Sequence, residues 1–423
     1  MLGLTDSMET KLTFLLLGAG SRGSMFAEIL AEDYAPGTLV AVAEPNPQSR
    51  EKIAKLHNIP SERQFSSWEE ALAQPKMADV VVNTTMDRHH VASAIAAFEL
   101  GYHMLLEKPM ASTLADCNKI ADAARKAGMI ASVCHSLRYN DVYAAIREVL
   151  RSGRIGDIVS VDQLEAVEHI HQSHSFVRGN WGNEGRSAFM LLAKSCHDID
   201  ILFDLVHDDC VRVSSFGSLS FFKKENAPAG APARCLDGCP AEAECPYQAM
   251  KVYGTPGKGW GQSVGLTMTG DLLTQALQSG PYGKCVFQTD NDVVDHQVVS
   301  MEFKKGQTVT FTMTAFTPFG GRRIRIHGTK GYLEAATETR IVEVHEFWGE
   351  KKHETIEVPA REGGHGGADP LVLKTLIEAI ETNNPNLVTT NFENSLMSHK
   401  IVFASERSRR EGRVVLLSEL EAN

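Results

Sequence analysis

Short apolar runs alternate with amphipathic stretches of helical length over the first third of the chain. The apolar runs show no alternation of apolar and polar positions, which is typical of strands buried on both faces. The predicted strands are 12–17, 38–43, 79–83, 103–106 and 129–134. The predicted helices are 24–31, 48–57, 66–73, 90–100 and 114–127. Strands and helices that alternate at these lengths indicate a parallel sheet with crossover helices.

After residue 134 the pattern changes to strand-like segments with few long helices between them. The predicted strands are 158–167, 211–221, 295–303, 307–316, 322–327, 340–347 and 414–416, and the predicted helices are 141–151, 370–383 and 394–409. The sequence thus predicts an α/β protein of two domains, a doubly wound parallel sheet over 1–134 and an α+β domain with a large, mostly antiparallel open sheet over 135–423. An insertion rich in proline, glycine and cysteine interrupts the second domain at 228–259.

Three glycines follow the first strand in the spacing of a Rossmann dinucleotide-binding fingerprint. Gly18 allows the tight turn, Gly20 lets the backbone approach a pyrophosphate, and Gly23 lets the next helix pack close to the strand. The N-terminus of that helix then offers free N–H groups to the phosphates. We expect Ser21 and Arg22, which lie between these glycines, to contact the cofactor as well.

Glu44 ends the second predicted strand, about twenty residues after the last glycine of the fingerprint. An acidic side chain there accepts hydrogen bonds from both ribose hydroxyls of an adenosine and repels a 2′-phosphate. The sequence therefore favours NAD over NADP. Because ligands bind at the carboxyl ends of parallel strands, polar residues at the later strand ends are expected to complete the cofactor site. These residues are Thr84, Thr85, Glu107, Lys108 and His135, and His90 and Arg138 are further candidates for the cofactor site.

Composition and charge narrow the class of protein. The chain has 423 residues and a formal net charge of −11, and it carries no basic stripe with interleaved aromatic residues, which argues against a nucleic-acid partner. No apolar run approaches the roughly 18 residues of a membrane span. Residues 1–10 have no basic region followed by an apolar core, so no secretory signal is predicted and we expect a cytoplasmic protein.

Four short motifs, taken together with the glycine turn, carry a resemblance that covers nearly the whole chain. They are Glu107-Lys108-Pro109, Leu137-Arg138-Tyr139, Gly153-Arg154-Ile155-Gly156-Asp157 and His197-Asp198-Ile199-Asp200. In this order they resemble the glucose–fructose oxidoreductase/inositol dehydrogenase (Gfo/Idh/MocA) superfamily. The resemblance implies hydride transfer between a nicotinamide and a hydroxyl-bearing carbon of a sugar or polyol. It also implies a homodimer or homotetramer formed through the sheet of the second domain.

The resemblance implies that Lys108 contacts the reacting hydroxyl and that His197 lies beside it. A lysine pKa near 10.4 must fall by about three units before the side chain acts as a base at pH 7, whereas a histidine titrates near neutrality. Either residue is therefore a candidate base, and Lys108 can instead stabilise the developing alkoxide. The family commonly has an aspartate four residues before this histidine, where this chain has Ala193 followed by Lys194. The departure leaves open whether Lys194 contacts the substrate.

The favoured function is an NAD-dependent dehydrogenase of a sugar, sugar derivative or polyol. One alternative is a redox-neutral NAD-dependent glycosidase, in which oxidation of a ring hydroxyl permits elimination of the glycosidic bond and the hydride is then returned. The other alternative is a cofactor-binding sensor that does not turn over.

Two further polar clusters are candidates for substrate contact. The first contains His169, His171, Arg178 and Trp181, which suit a sugar-binding wall of hydrogen-bonding groups with one apolar face. A metal site and an exposed polar loop are the alternatives for this cluster. The second candidate is His365, in a glycine-rich segment that lets the backbone crowd a ligand.

Four cysteines form the third unusual feature. Cys235, Cys239 and Cys245 lie in the insertion, and Cys285 follows downstream. Clustered thiols are typical of a structural zinc site and, less often, of an iron–sulfur centre. Because the spacing is not that of paired Cys-x-x-Cys motifs, reduced and metal-free thiols are the alternative.

Overall fold

The computed structural model describes residues 11–32, 36–255, 270–349, 352–361 and 364–420. Residues 1–10, where no secretory signal is predicted, lie outside the described residues. So do Gly363 of the glycine-rich segment before His365 and the end of the insertion at 256–259. Among the described helices, none combines the length and the apolar character that a membrane crossing requires.

Contacts divide the chain into two compact units. The first comprises the residues up to Asn140 together with Arg361–Met397, which we call the returning segment. The second comprises Asp141–Ala360 and the residues from Ser398 onward. The predicted domain boundary after residue 134 stays a prediction. That prediction places the returning segment in the second domain, whereas the contacts group it with the first unit.

The first unit contains a six-stranded sheet in the order β3-β2-β1-β4-β5-β6. Its strands are β1 Leu12–Leu17, β2 Gly37–Ala43, β3 Gln64–Phe65, β4 Val80–Asn83, β5 His103–Leu106 and β6 Ala131–Val133. Every neighbouring pair is parallel. The strand order reverses between β1 and β4, which is where ligands bind in doubly wound sheets. The predicted Rossmann architecture is therefore confirmed.

Helices cover this sheet, and the returning segment supplies one of them. They are Ser21–Ala31, Pro47–His57, Trp68–Leu72, His90–Glu99, Leu114–Ala127 and, from the returning segment, Gly364–Glu381. Local capping sets helix ends, since the side chain of Thr113 accepts the N–H of Asp116 and Gly128 adopts a left-handed φ of 64°. Leu373 and Leu376 of the returning segment join the same buried core as Leu16. The core of the first unit is thus built from two segments that are far apart in sequence.

The second unit contains a nine-stranded sheet in the order β14-β13-β12-β11-β7-β10-β9-β8-β15. Its strands are β7 Ile158–Ala166, β8 Cys210–Ser218, β9 His296–Phe303, β10 Thr308–Thr314, β11 Gly321–Gly328, β12 Gly331–Ala336, β13 Ile341–Glu346, β14 His353–Glu357 and β15 Val415–Leu416. Strands β7 and β10 pair in parallel, and all other neighbours pair antiparallel. This confirms the mostly antiparallel open sheet.

The described α-helices of the second unit range from three to twenty residues. They are Asp141–Arg151, His169–His171, Met190–Ala193, Cys196–Val206, Ala249–Tyr253, Asp271–Ser279 and Phe392–Glu411, the last of which begins in the returning segment. The insertion is largely irregular, and its described part has no helix or strand between Asn226 and Ala249.

Three strands were not predicted, and each lacks the apolar pattern that marks a strand. Strand β3 is only two residues long, and β14 at the sheet edge has no buried position. Strand β12 begins at a glycine and ends in two alanines, so its alternation of buried and half-buried positions is weak in sequence. The helix predicted at 66–73 is shorter, because Ser67 caps it and it spans Trp68–Leu72.

Candidate active site

The three glycines of the turn in the first unit differ in what surrounds them. Gly18 and Gly23 pack closely against the backbone, whereas Gly20 faces open space. A Cβ at Gly18, where φ is +86°, would lie 2.6 Å from the carbonyl oxygen of Thr84, and one at Gly23 would lie 2.0 Å from the carbonyl oxygen of Gly18. At Gly20 a Cβ would meet no protein atom within 4 Å. The helix that starts at Ser21 has no side-chain cap. The space at Gly20 and the uncapped N–H groups therefore fit the pyrophosphate of a dinucleotide.

Glu44 lies beside this turn, held by two backbone groups. Its Oε2 accepts the N–H of Ala19 at 2.6 Å, and its Oε1 accepts the N–H of Asn46 at 2.8 Å. A carboxylate has about four acceptor sites, so these bonds fix its position and leave capacity for ribose hydroxyls. The geometry fits the predicted contact to adenosine.

Arg22 connects the glycine turn to the returning segment. Its guanidinium donates to Glu107 and, through two nitrogens, to the carboxylate of Asp369 at 2.9 and 3.0 Å. Asp369 also accepts the hydroxyl of Ser136 at 2.6 Å and lies 2.9 Å from Nδ1 of His365. Burial alone would raise the pKa of Asp369, but hydrogen bonds from His365 and Arg22 outweigh it and hold the pKa well below its usual range. The predicted cofactor residue Arg22 and the predicted substrate residue His365 thus meet at one buried carboxylate.

Lys108 follows β5 by two residues and lies in a loop fixed by its neighbours. The buried ring of His90 has Nδ1 2.9 Å from the carbonyl oxygen of Pro109 and Nε2 3.1 Å from that of Thr85. Glu107 accepts the N–H of Lys108 at 2.8 Å. Through these contacts His90 links the loops that follow β4 and β5.

The remaining predicted cofactor residues have contacts that serve the fold. The hydroxyl of Thr84 donates to the carbonyl of Gly18 at 2.7 Å, and the guanidinium of the buried Arg138 donates to the carbonyl of Thr389 at 3.0 Å. His135, just after β6, is fully buried. Their cofactor contacts stay predictions.

In the second unit, His197 lies in the first turn of a helix and precedes a buried carboxylate. His197 is 4% exposed, and the next residue, Asp198, is completely buried. Asp198 accepts from Arg322 at 2.7 Å and from the side-chain amide of Gln163 at 2.9 Å. Burial raises the pKa of Asp198 to about 6, against the lowering effect of the Arg322 charge.

Lys194 belongs to the same buried network. Its Nζ lies 3.0 Å from Oε1 of Glu165, and Oε2 of Glu165 lies 3.0 Å from Nε of Arg322. The side chain of Glu165 is 2% exposed and that of Lys194 is 16% exposed. The lysine that follows Ala193 is therefore anchored by a buried carboxylate, and its contact with substrate stays a prediction.

The rings of two predicted wall residues approach the same aromatic side chain. His171 and Trp181 flank the ring of Phe176, with ring centroids 5.8 and 6.5 Å away. The Nδ1 of His169 lies 3.1 Å from the carbonyl oxygen of Thr317. Trp181 is 37% exposed, so one face of its indole is accessible.

Arg178, the fourth predicted wall residue, points into the insertion. It is 4% exposed and donates to the carbonyl oxygens of Lys284 at 2.7 Å and Tyr247 at 2.6 Å. Its NH2 also lies 3.5 Å from Sγ of Cys235. These contacts place Arg178 with the cysteines, and a substrate contact for it stays a prediction.

The four cysteines line one cavity and are free thiols. Within the described parts of the chain, three metal-ligating atoms lie within 4.8 Å of one another at Glu343, His345 and His353, on β13 and β14. The cysteine sulfurs do not meet that spacing. The structure therefore brings the predicted metal ligands to one cavity but holds their sulfurs farther apart.

Sequence reasoning did not predict the buried ion pairs around these sites. Asp369 ends the glycine-rich segment that contains His365, and nothing in sequence distinguishes it from an ordinary residue before a helix. Arg322 and Glu165 lie on neighbouring strands that are far apart in sequence. The one signal available in sequence for this buried network was Arg322, at the start of the predicted strand 322–327.

Family comparisons cover both units. The profile of an oxidoreductase family with an NAD-binding Rossmann fold matches residues 12–135. The profile of the C-terminal α/β domain of the same oxidoreductase family, Gfo/Idh/MocA, matches residues 147–417.

Individual relatives agree with these matches. YteT of Bacillus subtilis (strain 168), a protein named as an oxidoreductase, is 26% identical over 385 residues, which cover 85% of this chain and 87% of YteT. Inositol 2-dehydrogenase of Klebsiella pneumoniae subsp. pneumoniae is 26% identical over 195 residues, 46% of this chain and 54% of that protein. The structure of scyllo-inositol dehydrogenase from Lactobacillus casei, with bound NAD(H) and scyllo-inositol, covers 96% of this chain and 99% of its own at 16% identity and a TM-score of 0.66, a likeness of fold. The chain therefore belongs to the Gfo/Idh/MocA family and is an NAD-binding oxidoreductase.

Proposed function

We propose that the protein transfers a hydride between NAD and a secondary hydroxyl carbon of a sugar, sugar derivative or polyol. The observation that carries the proposal is the position of Lys108 just after β5, at the same sheet edge as the glycine turn and Glu44. Because the strands are parallel, their carboxyl ends form one crevice for the cofactor and the reacting carbon. The sugar and polyol dehydrogenases among the relatives support the substrate class.

The proposed cofactor is NAD rather than NADP. Gly20 and the uncapped helix N-terminus suit the pyrophosphate, and the fixed carboxylate of Glu44 suits two ribose hydroxyls and repels a 2′-phosphate. When bound, the nicotinamide accepts or donates the hydride.

Lys108 and His197 are the proposed catalytic residues. In alcohol oxidation one of them takes the hydroxyl proton as the hydride leaves the same carbon. If His197 takes the proton, the ammonium of Lys108 stabilises the developing alkoxide.

The dehydrogenase is favoured over the redox-neutral glycosidase because elimination needs a further base near the sugar. The histidine-rich wall and Lys194 are the candidates for that base, and the amino group of Lys194 is held in an ion pair by the buried Glu165. The presence of both Lys108 and His197 favours turnover over a sensor role.

A substrate survey tests the reaction. The purified protein with NAD⁺ is offered inositols, free sugars and aryl glycosides, and NADH and aglycone are followed together. We expect stoichiometric NADH from an unglycosylated polyol or sugar. Aglycone release without net NADH would favour the glycosidase, and NAD⁺ binding without turnover of any compound would favour the sensor.

Substitution of the lysine tests its role. Lys108→Met is expected to lower kcat by about 10²-fold or more, the usual contribution of a positioned acid–base group, while NAD⁺ still binds. The exposed Lys119 gives the control, since Lys119→Met should leave kcat unchanged. Unchanged activity in Lys108→Met would remove the catalytic assignment.

The proposal includes a cytoplasmic homodimer or homotetramer formed through the open face of the nine-stranded sheet. On β11, Arg323, Arg325 and His327 are exposed whereas Ile324 and Ile326 are buried, so one face packs inward and the other is polar and accessible. Light scattering of the purified protein measures the oligomeric state, and Arg325→Glu is expected to weaken assembly. A monomer at all concentrations would contradict this part of the proposal.

A further inference from the structure

The insertion contains a long irregular stretch whose ends pack into two small apolar clusters. Between Asn226 and Ala249 lie 22 residues without helix or strand, all of them described. Irregular stretches of this length are uncommon inside compact domains, and small loop-rich segments usually depend on disulfides or metals. The three cysteines of the insertion and Cys285 are free thiols, so a disulfide does not supply that stability.

Backbone pairing brings the fourth cysteine to the other three. The N–H of Cys235 donates to the carbonyl of Gly283 at 2.9 Å, and the N–H of Cys285 donates to the carbonyl of Ala233 at 2.9 Å. These two bonds join the segments around Cys235 and Cys285, so the thiols of both segments lie at one cavity. The complete set at the cavity is Cys235, Cys239, Cys245 and Cys285.

The spacing of the thiols does not suit a single zinc ion. Four thiolates at about 2.3 Å from zinc in a tetrahedron lie about 3.8 Å from one another. In the described parts of the chain no three of these sulfurs lie within 4.8 Å of one another. The cavity between them also admits a water molecule, whereas four sulfurs at zinc bonding distance leave room for the ion alone. A cluster of several irons sits between its ligands and holds the sulfurs farther apart.

The wall of the cavity supplies a second, independent observation. Arg178 is 4% exposed, and its NH2 lies 3.5 Å from Sγ of Cys235. Its NH1 is buried with no hydrogen-bond partner. A buried N–H of a charged group without an acceptor is costly, so an acceptor bound beside Arg178 would be stabilised by it. An iron–sulfur cluster with four thiolate ligands is anionic and offers sulfur acceptors. Other lining residues, among them Pro232, Val286 and Phe287, are apolar.

We propose that these four cysteines ligate an iron–sulfur cluster and that Arg178 donates hydrogen bonds to its sulfurs. Four thiolates are the usual ligand set of both two-iron and four-iron clusters. The cluster joins the irregular stretch to the segment at Cys285 and so stabilises the insertion. The proposal does not depend on which substrate the enzyme oxidises.

Metal analysis of the full-length protein tests the proposal. The protein is purified without oxygen, and iron, acid-labile sulfide and zinc are measured per chain. We expect iron and sulfide in equal amounts, about two or about four of each, with a visible absorption band that dithionite bleaches. Zinc without iron, or no metal even after anaerobic incubation with ferrous iron and sulfide, would overturn it.

Variants locate the cluster. The double variant Cys239→Ser/Cys245→Ser should lose the iron and the visible band, whereas Cys210→Ser should keep both because Cys210 is a buried thiol of β8 outside the cavity. NAD⁺ binding and circular dichroism report whether each variant is folded. A folded double variant that retains full iron would overturn the assignment, and if it does not fold, the metal content of the unaltered protein decides. Arg178→Met should keep the iron but shift the reduction potential, because the hydrogen bonds to sulfur are lost.

Discussion

At the scale of single residues, two glycines three positions apart are required for different reasons. Gly23 lies against the carbonyl of Gly18, so its lack of a side chain is a packing requirement of the fold. Gly20 has an ordinary φ of −69° and open space around it, so the protein alone would tolerate a methyl group there. The glycine at position 20 is therefore explained by what binds next to it.

This difference gives a prediction that separates stability from binding. Gly20→Ala should leave the melting temperature unchanged and weaken NAD⁺ binding by about tenfold or more, or roughly 1.4 kcal/mol. Gly23→Ala should lower the free energy of unfolding by about 1–3 kcal/mol through overpacking. Thermal unfolding and calorimetric titration with NAD⁺ measure both effects. Equal NAD⁺ affinity in Gly20→Ala would contradict the assignment of the pyrophosphate site.

Cofactor choice gives a second prediction for one residue. NAD⁺ should bind more tightly than NADP⁺, and Glu44→Ala should reduce that preference by about tenfold because it removes both the ribose acceptor and the repulsion of a 2′-phosphate. The control is Glu28→Ala, an exposed glutamate of the helix Ser21–Ala31. Tighter binding of NADP⁺ to the unaltered protein would reverse the assignment.

His174 provides a prediction about pH. Burial, reinforced by the charge of Arg178, lowers the pKa of His174 to about 4, and its ring stacks on Tyr282 with centroids 4.5 Å apart. Because the unfolded chain binds the proton near pH 6.5, stability should fall as the pH drops from 6.5 towards 4, by up to about 3 kcal/mol. His174→Phe keeps a flat ring on Tyr282 and should flatten this dependence.

Urea denaturation at several pH values measures the effect. The exposed His353 serves as the control, since His353→Phe should leave the slope unchanged. An identical pH dependence in His174→Phe and the unaltered protein would show that the slope has another origin.

At the scale of elements, the sequence was informative where local signals and burial agree. The strand His103–Leu106 and the helix Leu114–Ala127 were predicted with their observed ends, because the strand is apolar after its first residue and the helix carries both caps. Strand β14 was missed because none of its positions is buried. Strand pairing was beyond reach as well, since β7 pairs with β10 and β11 across more than a hundred residues.

In the candidate site, too, residues with local sequence signals were predicted and residues that meet only through long-range pairing were not. The glycine turn and Glu44 were predicted from spacing, because one strand–turn–helix unit contains the turn and the next strand ends in the acid. The network of Asp198, Glu165 and Arg322 was not, because its members meet only through sheet pairing and burial. Arg178 shows the converse, since its sequence neighbours indicated a sugar wall and the fold buries it beside the cysteines.

The returning segment is the element whose attachment is most easily tested. Asp369→Asn keeps the shape of the side chain but leaves Arg22 without its buried carboxylate, so the free energy of unfolding should fall by about 3 kcal/mol or more. NAD⁺ binding should weaken too, because Arg22 lies in the glycine turn. The matched control is Glu393→Gln, which breaks an exposed ion pair with Arg125 in the same unit and should cost less than about 1 kcal/mol. Equal destabilisation by the two variants would contradict the central role of Asp369.

At the scale of the whole molecule, the first unit is discontinuous in sequence. Its core contains Leu373 and Leu376 beside residues of the N-terminal sheet. A chain that ends at Asn140 therefore exposes apolar surface that the returning segment covers in the complete unit.

A comparison of two fragments tests this dependence. Residues 11–140 alone should unfold without a cooperative transition and should not bind NAD⁺. The same residues joined by a glycine–serine linker to 361–397 should unfold cooperatively and bind NAD⁺. Calorimetry and fluorescence titration distinguish the two, and cooperative unfolding of the shorter fragment would contradict the prediction.

The discontinuity also sets the order of events on the ribosome. Between Asn140 and Arg361 lie 220 residues, which take roughly 10–45 s to synthesise at about 5–20 residues per second. Throughout that interval the nascent N-terminal sheet waits for the helix that completes its core, with an apolar surface open to chaperones and to other nascent chains. The cofactor-binding unit of this enzyme therefore cannot finish folding until the ribosome has added the returning segment, long after its sheet has been synthesised.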